Sequence, residues 1–555
     1  MACLLAGLAF IVRIWGIGAN LPWVHHPDEP VIVWAALRFG YGNFAASGGR
    51  PPLLMYLLFL EYAAYFVVGY LTGLFSSPSD FAYLYIQDAT SFYIIGRVTV
   101  AVLGAATVIV LYLVGRRLCN SRVGLLSAAF LALSPTHVAI SQVIKSDALM
   151  VLLVTATFLG AVRIWQQGRW RHYFLAGLLG GLAVAAKYNA AVVCLAVGLA
   201  HLLRARQEQR SPRQTLLNAR LALVGLGLGS GFLLGYPHFV LDPGMAWTGL
   251  RHNSLDFMWG WLGFEGAPLG WVYYPFIALP VATGVLVAAM SLAGVVSALV
   301  RHKPADWLLL TAPIATYLLM GPQKVNQPRY LLPALPFLLL LAARLLDSLA
   351  RRVPVSQRAN NWLLAGIGLA LLVQPAYTVV YNDYVLVQED TRVQAKAWIE
   401  ANIPPGSKIV LDAEGPPLAE TWESWQAHHA DVRRDRLAPL MQRRAEESPA
   451  TYELKSIGHA LGREGYREHQ EASVESLAAY HAQGFEYIVT TSYPFELYTR
   501  WPGVAELYPK TMGFYEALTH EAILLVEFVP PVDDRRDRTR CDLLPIPTIR
   551  VYRIP

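Results

Sequence analysis

Residues 51–75 read PPLLMYLLFLEYAAYFVVGYLTGLF. The run holds one acid, Glu61, and no base, and it is long enough to cross a bilayer, which takes roughly 20 mostly apolar residues. Whether it crosses decides which side of a membrane every neighbouring loop faces. Other spanning candidates lie near residues 3–20, 92–115, 123–141, 147–165, 173–188, 190–203, 221–236, 271–300, 306–321, 330–346 and 361–381. The loops after 115, 165, 203, 300 and 343 carry Arg116, Arg117, Arg122, Arg169, Arg171, Arg204, Arg206, Arg210, Arg213, Arg301, Lys303, Arg344, Arg351, Arg352 and Arg358. The intervening loops carry chiefly Arg50, Lys145, Lys187, Arg251, Lys324 and Arg329. Basic loops mark the cytoplasmic side. Residue 28 is then outside only if 51–75 makes no net crossing. Parity favours a partly embedded helix along the outer face, with a broken amphipathic partner around 30–41. A spanning helix with a poorly apolar return near 79–91 is the alternative.

The composition agrees with a polytopic α-helical membrane protein of about 11 transmembrane helices. Of 555 residues, 55% are hydrophobic and only 15% charged, too few charges for a soluble chain of this size. The net charge of +6 follows from cytoplasmic loops and gives no reason to expect a nucleic-acid partner. Cys3 and Cys194 lie in apolar segments, Cys119 in a basic loop and Cys541 in a polar region, so no disulfide framework follows. The opening run MACLLAGLAFIVRIWGIGANLPW lacks a small-residue cleavage site and reads as a retained first helix.

Beyond about residue 382 the chain becomes mixed and charged. DTRVQAKAWIEANIP predicts an amphipathic helix ending at a Pro-Pro-Gly turn. Strand patterns follow at 408–412, 486–492, 522–529 and 549–554, and DDRRDRTR (533–540) reads as a solvated loop. The expected organisation is a membrane domain over 1–384 and a soluble extracytoplasmic α/β domain over 385–555.

With this threading, VHHPDEP (24–30), KSD (145–147), KYN (187–189), the loop 237–270 and QKVNQPRY (323–330) all face outward. Asp28, before Glu29 and Pro30, either caps the following helix or does chemistry. Asp147 opens an apolar helix, where an acid is expensive unless it meets water, a cation or a substrate; Lys145 is one available partner. Lys187, Arg329 and Arg50 stand at helix mouths on a side otherwise poor in positive charge. Each is either a snorkelling anchor or, at headgroup depth, a group suited to a phosphate. Acids beside phosphate-sized cations fit transfer of a sugar from a polyprenyl phosphate. An acceptor hydroxyl needs a general base, and the departing phosphate needs positive charge.

The outward acidic pair after helix one resembles the first-loop motif of the GT-C superfamily of membrane glycosyltransferases. The Pro-Pro helix, GRVTVAVLGAATVIVLYLVGRRL, SPTHVAISQVIKSDALM, AAKYNAA and QPRYLLPALPFL extend the resemblance. Within that superfamily the chain is similar to the family-39 branch of protein O-mannosyltransferases and lipid A aminoarabinose transferase-like proteins, over roughly 1–400 including DTR…NIPPGSKI. The resemblance implies a GT-C fold with juxtamembrane helices in the first outer loop. It implies Asp28 as general base, Glu29 as its neighbour and Asp147 as a second acid. Lys187, Arg329 and Arg50 would face the donor phosphate, with His26, Tyr188, Asn189, Asp256, Trp259 and Tyr330 as further substrate contacts. The loop 237–270 would lie over the site as a lid. No metal-ligand spacing is present around His25 and His26, so no metal is assigned, although some GT-C enzymes use a divalent ion.

The expected function is therefore inverting transfer of a mannose-like or other monosaccharide from a polyprenyl-phosphate carrier in the bilayer. The acceptor is a hydroxyl or phosphate on a glycan, lipid or protein. Compact loops favour a bacterial inner membrane with the site on its outer face. The alternative is a transporter or exporter of an anionic or lipid-linked substrate, which predicts charges at mid-bilayer and two related halves. Neither is evident. Transfer of a whole oligosaccharide from a pyrophosphate carrier would call for a WWDxG-type signature, absent from the tail.

Overall fold

The computed structural model describes residues 1–428, 434–459, 468–531 and 546–555. Most of the first 386 residues form a helical bundle around one large apolar core. Among the described residues, six segments are long and apolar enough to cross a membrane: Leu53–Leu71, Thr90–Leu118, Ser146–Gln167, Tyr188–Gln207, Pro212–Gly235 and Gln357–Asn402. Shorter apolar helices span Ala2–Ile14, Ser121–Ala132, Val285–Arg301 and Pro304–Met320. Residues 51–75 contribute the helix Leu53–Leu71, packed against Asp28–Phe39.

Several apolar runs that read as continuous are broken. Helix Ser121–Ala132 ends before Pro135, and a short helix Pro135–Ala139 follows. The 271–300 run breaks at Gly284, whose φ of 82° only glycine adopts readily. The run from 330 starts as a 3-10 turn, Pro328–Leu331, before helix Leu335–Ala350. These breaks matter because unpaired backbone groups in an apolar bundle must find partners.

Small residues set the tightest helix packing. A Cβ on Gly181 would lie 2.1 Å from the Leu228 carbonyl oxygen, and one on Gly231 equally close to that of Leu178, at 2.1 Å. Helices Trp170–Ala186 and Ala219–Gly235 therefore touch backbone to backbone, as small-xxx-small pairs allow.

The sheet lies entirely in the C-terminal part among the described residues. Its strands are β1 (Lys408–Leu411), β2 (Glu453–Ser456), β3 (Tyr487–Thr491), β4 (Ile523–Phe528) and β5 (Ile549–Arg553), in the order β2-β1-β3-β5-β4. β1 pairs in parallel with both β2 and β3, while β5 pairs antiparallel with β3 and β4. One apolar cluster covers each face, built around Val410, Ile488 and Tyr552 and around Ile409, Val489 and Val551. β2 went unread in the sequence because ELKS has no run of apolar or β-branched residues. The expected solvated loop 533–540 lies outside the described residues.

Candidate functional site

Helix Asp28–Phe39 begins directly after Pro27, so Asp28 and Glu29 occupy its first turn, where carboxylates are favoured. The two acids then diverge. Glu29 is fully buried and grips Arg97 of helix Thr90–Leu118 through paired contacts of 2.9 and 2.8 Å. Its Oε1 also accepts the Ile144 N–H at 2.9 Å. Ile144 lies between helix Pro135–Ala139 and helix Ser146–Gln167, where the helical ladder is interrupted. Glu29 thus satisfies a buried backbone donor outside the helical ladder and pins three elements together. Arg97 completes the knot by donating to the Ile17 carbonyl at 2.9 Å.

The Asp28 side chain is 46% exposed, and its Oδ2 sits 2.9 Å from Lys145 Nζ. Lys145 is itself buried and approaches His26 Nε2 at 3.5 Å, while His26 Nδ1 accepts the Asp28 N–H at 3.1 Å. Burial alone would raise the Asp28 carboxyl, but Lys145, Arg329 and His26 outweigh it and hold the group well below the usual carboxylate range. Burial and then Lys145 lower His26, with Asp28 and Glu29 opposing. His25 is pushed down to about 4 by burial and Arg392, with Asp390 opposing.

Asp147, in the first turn of helix Ser146–Gln167, is buried with its Oδ1 2.7 Å from Lys187 Nζ. Lys187 caps the end of helix Trp170–Ala186 and lies over the Tyr330 ring at 5.6 Å. Arg329 faces the same ring at 5.3 Å and is within electrostatic reach of both Asp28 and Asp147. Cation–π placement keeps both positive groups oriented without consuming their hydrogen bonds. The loop bearing Arg50 joins through Tyr188, whose hydroxyl donates to the Gly49 carbonyl at 3.1 Å. Arg50 itself is exposed, with no ion pair among the described residues. Asn189 Oδ1 is buried without a hydrogen-bond partner among the described residues.

The structure thus gathers Asp28, His26, Asp147, Lys187, Tyr330 and Arg329, with Tyr188 and Asn189 adjoining. It pairs Lys145 with Asp28 rather than with its near neighbour Asp147. Arg97 was not singled out in the sequence, although one arginine inside an apolar helix signals a specific buried partner. Asp256 and Trp259 lie on helix Pro243–Trp259, but their side chains fall outside the described residues. Farther along that loop, Glu265 accepts from Tyr508 Oη at 3.0 Å and from the Gly263 N–H at 2.6 Å, docking the loop onto the C-terminal part. No group of three or more His, Cys, Asp or Glu side chains arranged to hold a metal occurs among the described residues.

Residues 84–241 match the family model described as dolichyl-phosphate-mannose-protein mannosyltransferase. No curated protein sequence matches the chain. Among solved structures, ArnT from Cupriavidus metallidurans in the apo state is 13% identical with a TM-score of 0.51, covering 99% of this chain and 97% of that one. ArnT bound to undecaprenyl phosphate is 14% identical with a TM-score of 0.48, covering 99% and 97%. The Archaeoglobus fulgidus oligosaccharyltransferase AglB, in complex with an inhibitory peptide and a dolichol-phosphate, is 11% identical with a TM-score of 0.47, covering 95% and 73%. Residues 84–241 thus resemble that mannosyltransferase family, and the likeness to ArnT in the apo state is one of fold.

Proposed function

We propose that the chain is an inverting glycosyltransferase that moves a monosaccharide from a polyprenyl-phosphate carrier to an extracytoplasmic acceptor. The observation that carries this is the pairing of a half-exposed carboxylate, Asp28, with two cations: Lys145 at 2.9 Å, and Arg329 within electrostatic reach. The name of the matched family, which specifies dolichyl-phosphate-mannose, supports a lipid-phosphate donor. The threading with about eleven crossings, site and C-terminal domain outward, is part of the proposal. So are the division at residue 384 and a bacterial inner membrane.

In this reading the acceptor hydroxyl gives its proton to Asp28 as its oxygen attacks the anomeric carbon. The bond from that carbon to the phosphate oxygen breaks, and its electron pair leaves with the phosphate. Lys187, Arg329 and Arg50 offset the charge left on the phosphate. A carboxylate paired with Lys145 is a weak base, since an effective one has a pKa near the working pH. An arriving phosphate competes for Lys145 and Arg329, which strengthens Asp28 only when donor is bound. Glu29 positions Asp28 through Arg97 and Ile144. Asp147 orients Lys187.

The test is purified full-length protein in detergent with a panel of polyprenyl-phosphate sugars and membrane extract as acceptor source. One donor should be consumed. If none is bound or consumed, the cluster recognises something else and the transport reading takes its place.

A further inference from the structure

The C-terminal sheet has a feature the proposed chemistry does not use. From β1 the chain passes to β2 on one side and then to β3 on the other, with all these pairings parallel. The gap beyond the carboxyl ends of β1 and β3 is thus a topological switch point, where open α/β sheets leave a crevice for ligands. Its walls are the turn 412–415 and the start of helix Ser492–Thr499.

The crevice is braced from behind. Asp412 is buried, accepting from Tyr515 Oη at 2.8 Å and from the Ala413 N–H at 2.9 Å, with His459 Nε2 at 2.7 Å. Thr491 Oγ1 donates to the Ala413 carbonyl at 2.8 Å and closes the two walls together. Glu414 follows with φ of 58°, a conformation costly for a residue with a Cβ and kept only where its surroundings enforce it. Unlike Asp412, its carboxylate is not consumed. Its one ion pair among the described residues is with Arg392 at 3.7 Å, and that guanidinium already holds Asp390 at 2.8 and 2.7 Å.

Across from it stands Tyr493, packed against Leu262, Leu497 and Tyr498. Leu262 belongs to the loop that Glu265 anchors. Tyr493 is also within electrostatic reach of Glu414, Arg500, Asp28 and Arg329. The switch point therefore adjoins the first outer loop, since Arg392, the partner of Glu414, also holds Asp390, which lies 3.9 Å from His25.

We propose that this crevice is the acceptor subsite and that the acceptor is a sugar. Glu414 receives hydroxyl hydrogen bonds from it, Tyr493 supports its ring, and a neighbouring hydroxyl reaches Asp28. The groups on offer are a carboxylate and a phenol, which suit a polyol; a phosphate brings no donors for Glu414 and meets its charge. The inference rests on the glycosyltransferase reading.

The test uses full-length protein in detergent, the donor found in the panel, and membrane extract titrated as acceptor source. Undecaprenyl-phosphate binding is followed by thermal shift. Glu414→Gln should raise the half-saturating extract concentration by about tenfold, the worth of one hydrogen bond to a charged group, and Tyr493→Ala should raise it in the same direction through loss of ring contact. The half-saturating donor concentration and the thermal shift should stay as in the wild type. Unchanged extract dependence in both variants overturns the subsite while leaving the transferase intact, as does a parallel loss of donor binding. A wild type that consumes no donor with any extract removes the reading beneath it.

Discussion

Lys145 Nζ lies 2.9 Å from Asp28 Oδ2, although Asp147 is its near neighbour in the chain. Helix Ser146–Gln167 turns Asp147 inward to Lys187 and leaves Lys145, at its cap, to reach across to the first loop. Each carboxylate of the cluster is thereby matched with a lysine from a different element.

Removing that lysine should show in the pH profile. With the Asp28 carboxyl held low, mainly by Lys145 against the effect of burial, it stays ionised until well below pH 4. Lys145→Met should move its pKa upward, so the acid limb of kcat/KM appears at higher pH than in the wild type. The sign for stability is the same. A depressed carboxyl contributes stability above its unfolded value, near 4, and loses it as pH falls through its folded value. An acid limb that does not move in the variant contradicts the pairing.

Glu29 should behave as a structural acid. Glu29→Gln leaves Arg97 buried against a neutral amide, and losing one partner of a buried ion pair costs about 3–5 kcal/mol. The thermal midpoint in detergent should fall. Glu29→Gln combined with Arg97→Gln should recover part of the loss, which a double-mutant cycle measures. Purely additive losses would mean the two side chains act separately.

How legible this was varied with the kind of signal. Asp28, Asp147, Lys187 and Arg329 stood out because charges at the mouths of apolar helices are scarce. The strands 408–411, 487–491, 523–528 and 549–553 were readable from β-branched and apolar runs. The roles within the cluster were not, since DEP cannot say which acid points inward. That depends on Arg97, 68 residues away, and on a break in the helical ladder at Ile144. The interruption at Gly284 was masked by a nearly unbroken apolar run, whereas the one after Ala132 falls at Ser134-Pro135-Thr136-His137.

The donor phosphate should need its cations. Lys187→Ala or Arg329→Ala should weaken undecaprenyl-phosphate binding at least tenfold, as expected for charge-assisted contacts to phosphate. Binding titrations at two salt concentrations check this, the wild type losing more affinity with salt than either variant. Unaltered affinity in both variants would place the phosphate elsewhere.

The glycine contact offers a test of the bundle alone. Gly231→Val would push a side chain into the Leu178 carbonyl, where even a Cβ lies 2.1 Å away. Helices Trp170–Ala186 and Ala219–Gly235 must then separate. A clear fall in the yield of folded, monodisperse protein is expected, whereas Gly225→Ala, with nothing within 4 Å, should be neutral.

The most direct test of the central claim is Asp28→Asn in the donor-consumption assay, with undecaprenyl-phosphate binding measured on the same preparation. Loss of a general base should lower turnover by roughly 10²–10⁴-fold while binding is retained. Near-normal turnover would contradict Asp28 as the base and return the assignment to Asp147, the other acid of the cluster.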